Sequence, residues 1–333
     1  MTVKRTDPDP GGVAAEIGYY PVPWSVNADQ FSIQTLPDHE RIVAAITDSP
    51  NLSKDWIYPG AQRIIDLMSG EERSMPYNSR VFGLPKTHVV TLHKSTDKEE
   101  LEFVVWCLSF FTGMRLTTTD AGFLDATPVK PRKLVDFFLT QRSLPDAIQM
   151  SLDYFTRERA DPRASKRVSA VIHALFLAQY PHNLCFEQFN YLYMALDACF
   201  SLLIAKEAGK PPHLKHAERI PWMCDKFNMP VPAWADCSAT GKSGLSGVRN
   251  DTFHEALFFN QPLGFSVYGG NQPGADPYNV TLQMQALICR LLVAILGIPG
   301  NSYVRTPVDT RQVHGLEFPD PSLKHSQGSG VNN

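Results

Sequence analysis

The sequence predicts a mainly α-helical protein, in which an α+β N-terminal region precedes a C-terminal helical bundle. Three observations carry that expectation. Beyond about residue 165, apolar residues recur at helical spacing in one segment after another. Before it, only THVVTLH (Thr87 to His93) has the β-branched enrichment of a strand. Between the halves runs RERADPRASKR (Arg157 to Arg167), a charged stretch that reads as a solvated linker or as the edge of an RNA-binding groove. The expected organisation is therefore an N-terminal region over residues 1–155, a helical bundle over 165–300 and a polar tail over 301–333.

Each element follows from local chemistry. Residues 1 to about 50 are rich in Pro, Asp and Gly and give no clear assignment. DKEELEFVVWCLSFFTG (Asp97 to Gly113) opens at a capping Asp and stops at a Gly, the two ends of a helix. LVDFFLTQRSLPDAIQMSLDYF predicts two short helical pieces broken at Pro145. Helices are then expected over Arg167–Pro181, from Leu184 to about Ala208 with Gly209 as stop, and over His213–Asn228 with a bend at Pro221. Two more cover Ser243–Asn260 and Tyr278–Ile298. The apolar ALICRLLVAILGI within the last is too short to span a bilayer and carries Arg290, so it reads as a core helix and no membrane partner is expected.

Composition narrows the function. The 333 residues carry Lys+Arg 31 against Asp+Glu 34, a net charge of −3. A protein that coats nucleic acid without specificity is strongly basic, so any nucleic-acid contact here is local. The opening MTVKRTDPDPGG lacks the apolar stretch of a secretory signal, and the six cysteines form no CxxC pair. Reduced thiols and a cytoplasmic location are expected.

The chemistry concentrates in GVRNDTFHEALFFN (Gly247 to Asn260). Asn250 and His254 are four apart and share a helix face, whereas Arg249 is five before His254 and about 140° away around an α-helix. Two copies of the helix facing each other would gather two Arg and two His in one cleft. Metal-free RNA cleavage needs a base for the 2′-OH and an acid for the leaving 5′-oxygen, and histidine serves both near neutral pH. A guanidinium matches the charge on the phosphorane-like transition state. Asn250 can orient the imidazole or a phosphate.

Arg, four residues, then His, with Asn directly after the Arg, resembles the signature of the HEPN superfamily, and the wording RNDTFHEA looks most like its Apea-like group. The likeness extends to helix order over roughly residues 165 to 300: YLYMALDACFSLL, then HAERIPWMCDKFNM, the motif helix and an apolar last helix. The resemblance implies a helical bundle that dimerises and cuts RNA without a metal or other cofactor, leaving 2′,3′-cyclic phosphate and 5′-OH ends. It implies a catalytic pair of Arg249 and His254 with Asn250 beside them. It also suggests phage defence or a toxin–antitoxin setting, with an antitoxin or trigger as partner. The rival expectation is a non-catalytic module that uses the same bundle to dimerise or to hold RNA or a partner protein; a third is a structural bundle with His254 in its core.

Lesser signals complete the reading. ATGKSG (Ala239 to Gly244) resembles the end of a phosphate-binding loop, but Asp236 stands where its first Gly belongs. It reads as a loop from which Lys242 can reach RNA. His213 and His216 lack further ligands at metal spacing and read as solvated. Phe186, Phe189, Tyr193 and Phe200 form a core or dimer stripe, and His173 reads as a core histidine. The long loop Asn260–Asn279 follows the motif directly and reads either as a channel lining or lid or as a mobile connector.

Overall fold

The computed structural model describes residues 12–75, 80–207, 212–238, 243–259, 261–262, 277–310 and 314–318. Among them there are eight α-helices; helical residues of all kinds make up 45% and strands 16%, with several antiparallel sheets in the N-terminal region. The chain is thus α+β, and the expectation of a mainly α protein with a C-terminal bundle is corrected. The strands Val13–Ile17 (β1), Ser25–Asn27 (β2) and Phe31–Thr35 (β3) are three to five residues long. They sit in the Pro- and Gly-rich opening, where so few positions leave no readable alternation.

The fourth strand of their sheet is His88–Leu92 (β4), the one that the sequence announces. The order is β1-β4-β3-β2 with every neighbour antiparallel. Along β4, His88, Val90 and Leu92 are buried and Val89 and Thr91 are half-buried, the period of two that turns alternate side chains to opposite faces. Val90 stands opposite Ala15 on β1 and Ile33 on β3. Helix α1 is His39–Thr47, and α2 is Lys98–Thr112. Helix α2 packs on β1, and its Leu101, Val104, Val105 and Leu108 join Ile17, Phe31, Ile33 and Leu92 in one apolar cluster.

Both predicted ends of α2 form. The Asp97 carboxylate accepts from the Glu99 N–H, and Gly113 turns left-handed at φ 63°. A Cβ on Gly113 would lie 2.7 Å from the Arg132 Cα and 2.8 Å from the Val135 Cγ2. Gly113→Ala is therefore expected to destabilise the protein by about 1–3 kcal/mol, read as a lower urea midpoint with an unchanged slope.

Pro145 does not split its helix. It lies in the first turn of α3 (Leu144–Arg157), after the 3-10 turn Gln141–Ser143. A first-turn residue has no intrahelical N–H bond to lose, so proline is tolerated there. The charged run is shared between the end of α3, a short turn and the start of α4 (Pro162–Leu177), where Asp161 caps the Arg163 N–H. The helices are also not confined to one half of the chain. Helix α2 packs against α3 and α4, and α4 against α5 (Cys185–Ile204). One apolar cluster holds Trp56, Phe103, Phe110, Tyr154, Leu192 and Leu316 together.

Helix α8 (Pro277–Leu296) packs on α5. Its Asn279–Leu296 stretch is long and apolar enough to cross a membrane, and 72% of that stretch is buried against the rest of the protein. Arg157 donates to the Ile295 and Leu296 carbonyls, setting a cation at the negative end of α8. Arg290 is 1% exposed and donates to Asp136 and to the Thr306 carbonyl at 2.8 and 3.0 Å.

His88 gives the sheet a pH limit. Burial, with the neighbouring His39 charge adding to it, pushes the imidazole down to about 4 from an ordinary 6.5. The unfolded chain therefore takes up the proton first as pH falls. The stability is fully present above about 6.5 and declines down to about 4, by about 3 kcal/mol in all. Urea unfolding at pH 7 and pH 4.5 reads this, and His88→Leu is expected to flatten the dependence.

Candidate functional site

Helix α5, helix α6 (His216–Lys226) and helix α7 (Gly244–Asn250) position the motif. The Ser243 hydroxyl accepts from the Ser246 N–H and caps α7, and Leu245 is buried beneath it. The sequence predicts one helix as far as Asn260. The structure changes at Asp251: residues Asp251–Glu255 form a π-helical turn, closed by Ala256 N–H donating to the Asp251 carbonyl. Asn, Asp and Thr in succession are weak helix formers, and the Thr252 hydroxyl bonds back to the Val248 carbonyl, a contact that bends helices. Ala256 then turns left-handed at φ 54°. The chain leaves in the short strand Leu257–Phe258, where fully buried Phe258 packs 5.5 Å from Phe189 of α5.

The π turn decides the geometry. Its backbone bonds join residues five apart, so a five-residue spacing returns to nearly one face. Arg249 Nη1 stands 3.4 Å from His254 Nε2 and donates to Asn250 Oδ1 at 3.1 Å. A second copy of the helix is not required to bring arginine and histidine together. Asn250 holds the arginine. The guanidinium also lies 5.2 Å from the centre of the Phe253 ring. His254 is exposed, which removes the expectation of a core histidine. Arg249 is half-buried, and its Nε has no hydrogen-bond partner.

Behind Arg249 stands a second set of polar groups that sequence reasoning missed. The Tyr193 hydroxyl lies 3.1 Å from His216 Nδ1. Arg219 Nη1 pairs with Asp197 Oδ1 at 2.9 Å. Burial pushes the Tyr193 phenol up to about 12, with Asp197 adding and the Arg249 and Arg219 charges opposing. The His216 imidazole is held below its ordinary value by burial first, then by Arg219, with a further contribution from Arg249 against the pull of Asp197. Tyr193 reads in the sequence as one more ring in an apolar stripe, and His216 as a solvated neighbour of His213. The available signal was helical spacing: Tyr193 and Asp197 are four apart on α5, and His216 and Arg219 three apart on α6.

Other predicted residues fall elsewhere. Lys242 lies outside the described residues, as does the 260–279 loop apart from residues 261–262 and 277–279. His173 is exposed, not in the core, with its ring 5.2 Å from Trp106. All six cysteines are free. Among the described residues, no group of three or more His, Cys, Asp or Glu gathers to hold a metal.

Two clefts, of about 490 and 420 Å³, lie away from the motif, one beside Asp136 and Gln179 and one beside Tyr58 and Arg80. Comparisons with protein-family models, curated proteins and solved structures find no match for this chain.

Proposed function

We propose that the chain is a metal-independent endoribonuclease of the HEPN type, working as a cytoplasmic homodimer. The observation that carries this reading is the contact of Arg249 with His254, with Asn250 fixing the guanidinium. In this reading Arg249 takes the scissile phosphate and neutralises charge that grows on its oxygens. Phosphate competes for Nη1 and frees the His254 Nε2 for proton transfer. The 2′-oxygen displaces the 5′-oxygen, leaving a 2′,3′-cyclic phosphate and a 5′-OH. Phe253, 51% exposed beside Arg249, gives the second copy apolar surface to cover at the motif. Phage defence, with an antitoxin or trigger as partner, is the setting that the resemblance suggests.

The test is incubation with labelled single-stranded RNA and with tRNA in EDTA, with the chemistry of the new ends determined. Cutting that persists in EDTA and leaves cyclic phosphate is the expected result. RNA that binds but is never cut, and binds less well to Arg249→Ala, would replace this reading with that of a binding module.

A further inference from the structure

We infer that His216 is a second catalytic histidine, and that one protomer therefore holds both an acid and a base for RNA cleavage. This rests on the nuclease reading of Arg249 and His254 and deepens it. A cleavage by internal attack moves two protons, one from the 2′-OH and one to the 5′-oxygen. The motif supplies one imidazole, and helix α6, packed on the helix that carries Arg249, supplies a second.

Three observations place it there. His216 stands at the first position of α6, and α6 packs on α7, which carries Arg249. Its ring is held at one nitrogen, where Nδ1 meets the Tyr193 hydroxyl at 3.1 Å. Tyr193 itself is locked, buried against Phe189, whose other ring neighbour is Phe258 of the motif's exit strand. The segment that carries His254 and the residue that orients His216 thus share one aromatic anchor. An imidazole held by a phenol at one nitrogen has its other nitrogen directed, as the base of a hydrolase is directed by a third group.

The charges around His216 suit a base. Asp197 and Tyr193 face it from α5, Arg219 from its own helix and Arg249 from α7. Two guanidinium groups against one carboxylate favour the neutral ring, which is the form that accepts a proton.

The step balances without a co-reactant. Neutral His216 takes the proton of the 2′-OH as the 2′-oxygen forms its bond to phosphorus. The bond from phosphorus to the 5′-oxygen breaks, and His254, parted from the Arg249 guanidinium by the bound phosphate and then protonated, delivers its proton to that oxygen. Arg249 faces the non-bridging oxygens throughout. Afterwards His216 is protonated and His254 is not, and exchange with water resets both.

The experiment compares wild type, His216→Ala, His216→Asn and Tyr193→Phe on a mixed-sequence single-stranded RNA in EDTA, with folding checked by thermal melting. Removal of a catalytic imidazole is expected to lower kcat by about 10²–10⁴-fold with little change in KM. Added imidazole is expected to restore part of the rate to His216→Ala, which a merely structural defect would not allow. Tyr193→Phe keeps the ring and is expected to lose less rate than His216→Ala, as a positioning residue does. A mixture of His216→Ala and His254→Ala proteins is expected to stay inactive, because every protomer then lacks one of the two groups. If wild type cuts, His254→Ala does not, and His216→Ala and His216→Asn keep kcat within about threefold, this inference is wrong and the nuclease reading stands. If wild type itself leaves the RNA uncut, both fall together.

Discussion

Arg249→Ala and His254→Ala are each expected to lower the rate of RNA cutting by about 10²–10⁴-fold while leaving the fold in place. The two parts of that statement have separate grounds. His254 is exposed, and substitutions at exposed positions fall within about 0.5 kcal/mol of neutral. Arg249 is half-buried and gives up its contact with the Phe253 ring, so its loss costs somewhat more, about 1 kcal/mol. Neither change unfolds a protein of ordinary stability. In the proposed mechanism the rate loss follows from the removal of a proton carrier in one case and of a phosphate ligand in the other. Arg249→Lys keeps the charge but not the planar fork that reaches Asn250 and His254 together, and is expected to recover only part of the rate. Single-turnover cleavage beside thermal melts reads both quantities on the same samples. A folded His254→Ala protein that cuts at the wild-type rate would remove His254 from the mechanism.

The largest expected loss of stability comes from the other end of the molecule. Arg290 is buried in α8, where it meets Asp136, the Ala286 and Thr306 carbonyls and the Tyr303 hydroxyl. The Tyr303 hydroxyl in turn donates to Asp136. Asp136→Ala leaves the guanidinium in a closed site without its carboxylate. The cost of stranding one member of a buried ion pair is about 3–5 kcal/mol. Asp136 is 38% exposed, so water screens part of the attraction and the expected value is about 3 kcal/mol. Asp136→Asn keeps an acceptor and is expected to lose less. Urea unfolding of the three proteins gives the order. Equal midpoints for wild type and Asp136→Ala would mean that the carbonyls alone satisfy Arg290.

Helix α2 was legible in the sequence because its two ends are chemical signals. Asp97 and Gly113 act within a turn of their own positions, and nothing distant needs to be known. The sheet was not, apart from β4. Strands β1, β2 and β3 are held by partners up to about eighty residues away, and short runs such as Ser25–Asn27 carry no pattern of their own. That is why the chain read as mainly α. The motif was found by residue type and order, yet its geometry was misjudged, since 140° is the angle of an unbroken α-helix and the chain turns π-helical at Asp251, between Arg249 and His254. Tyr193, Asp197, His216 and Arg219 were hidden for a different reason. Their meeting is made by the packing of α5, α6 and α7, and helical spacing shows only which pairs share a face on each helix.

The motif segment is pinned at both ends, by Leu245 before it and Phe258 after it, with Thr252 as a buried tie between them. Between those pegs, Phe253, His254 and Glu255 all stand in solvent. The arrangement resembles a bridge deck carried on two piers. What the deck presents can be exchanged without loosening the foundations, and loosening either pier shifts every group on the deck at once. Evolution can therefore retune such a surface, or silence it altogether, by changes that leave the core untouched.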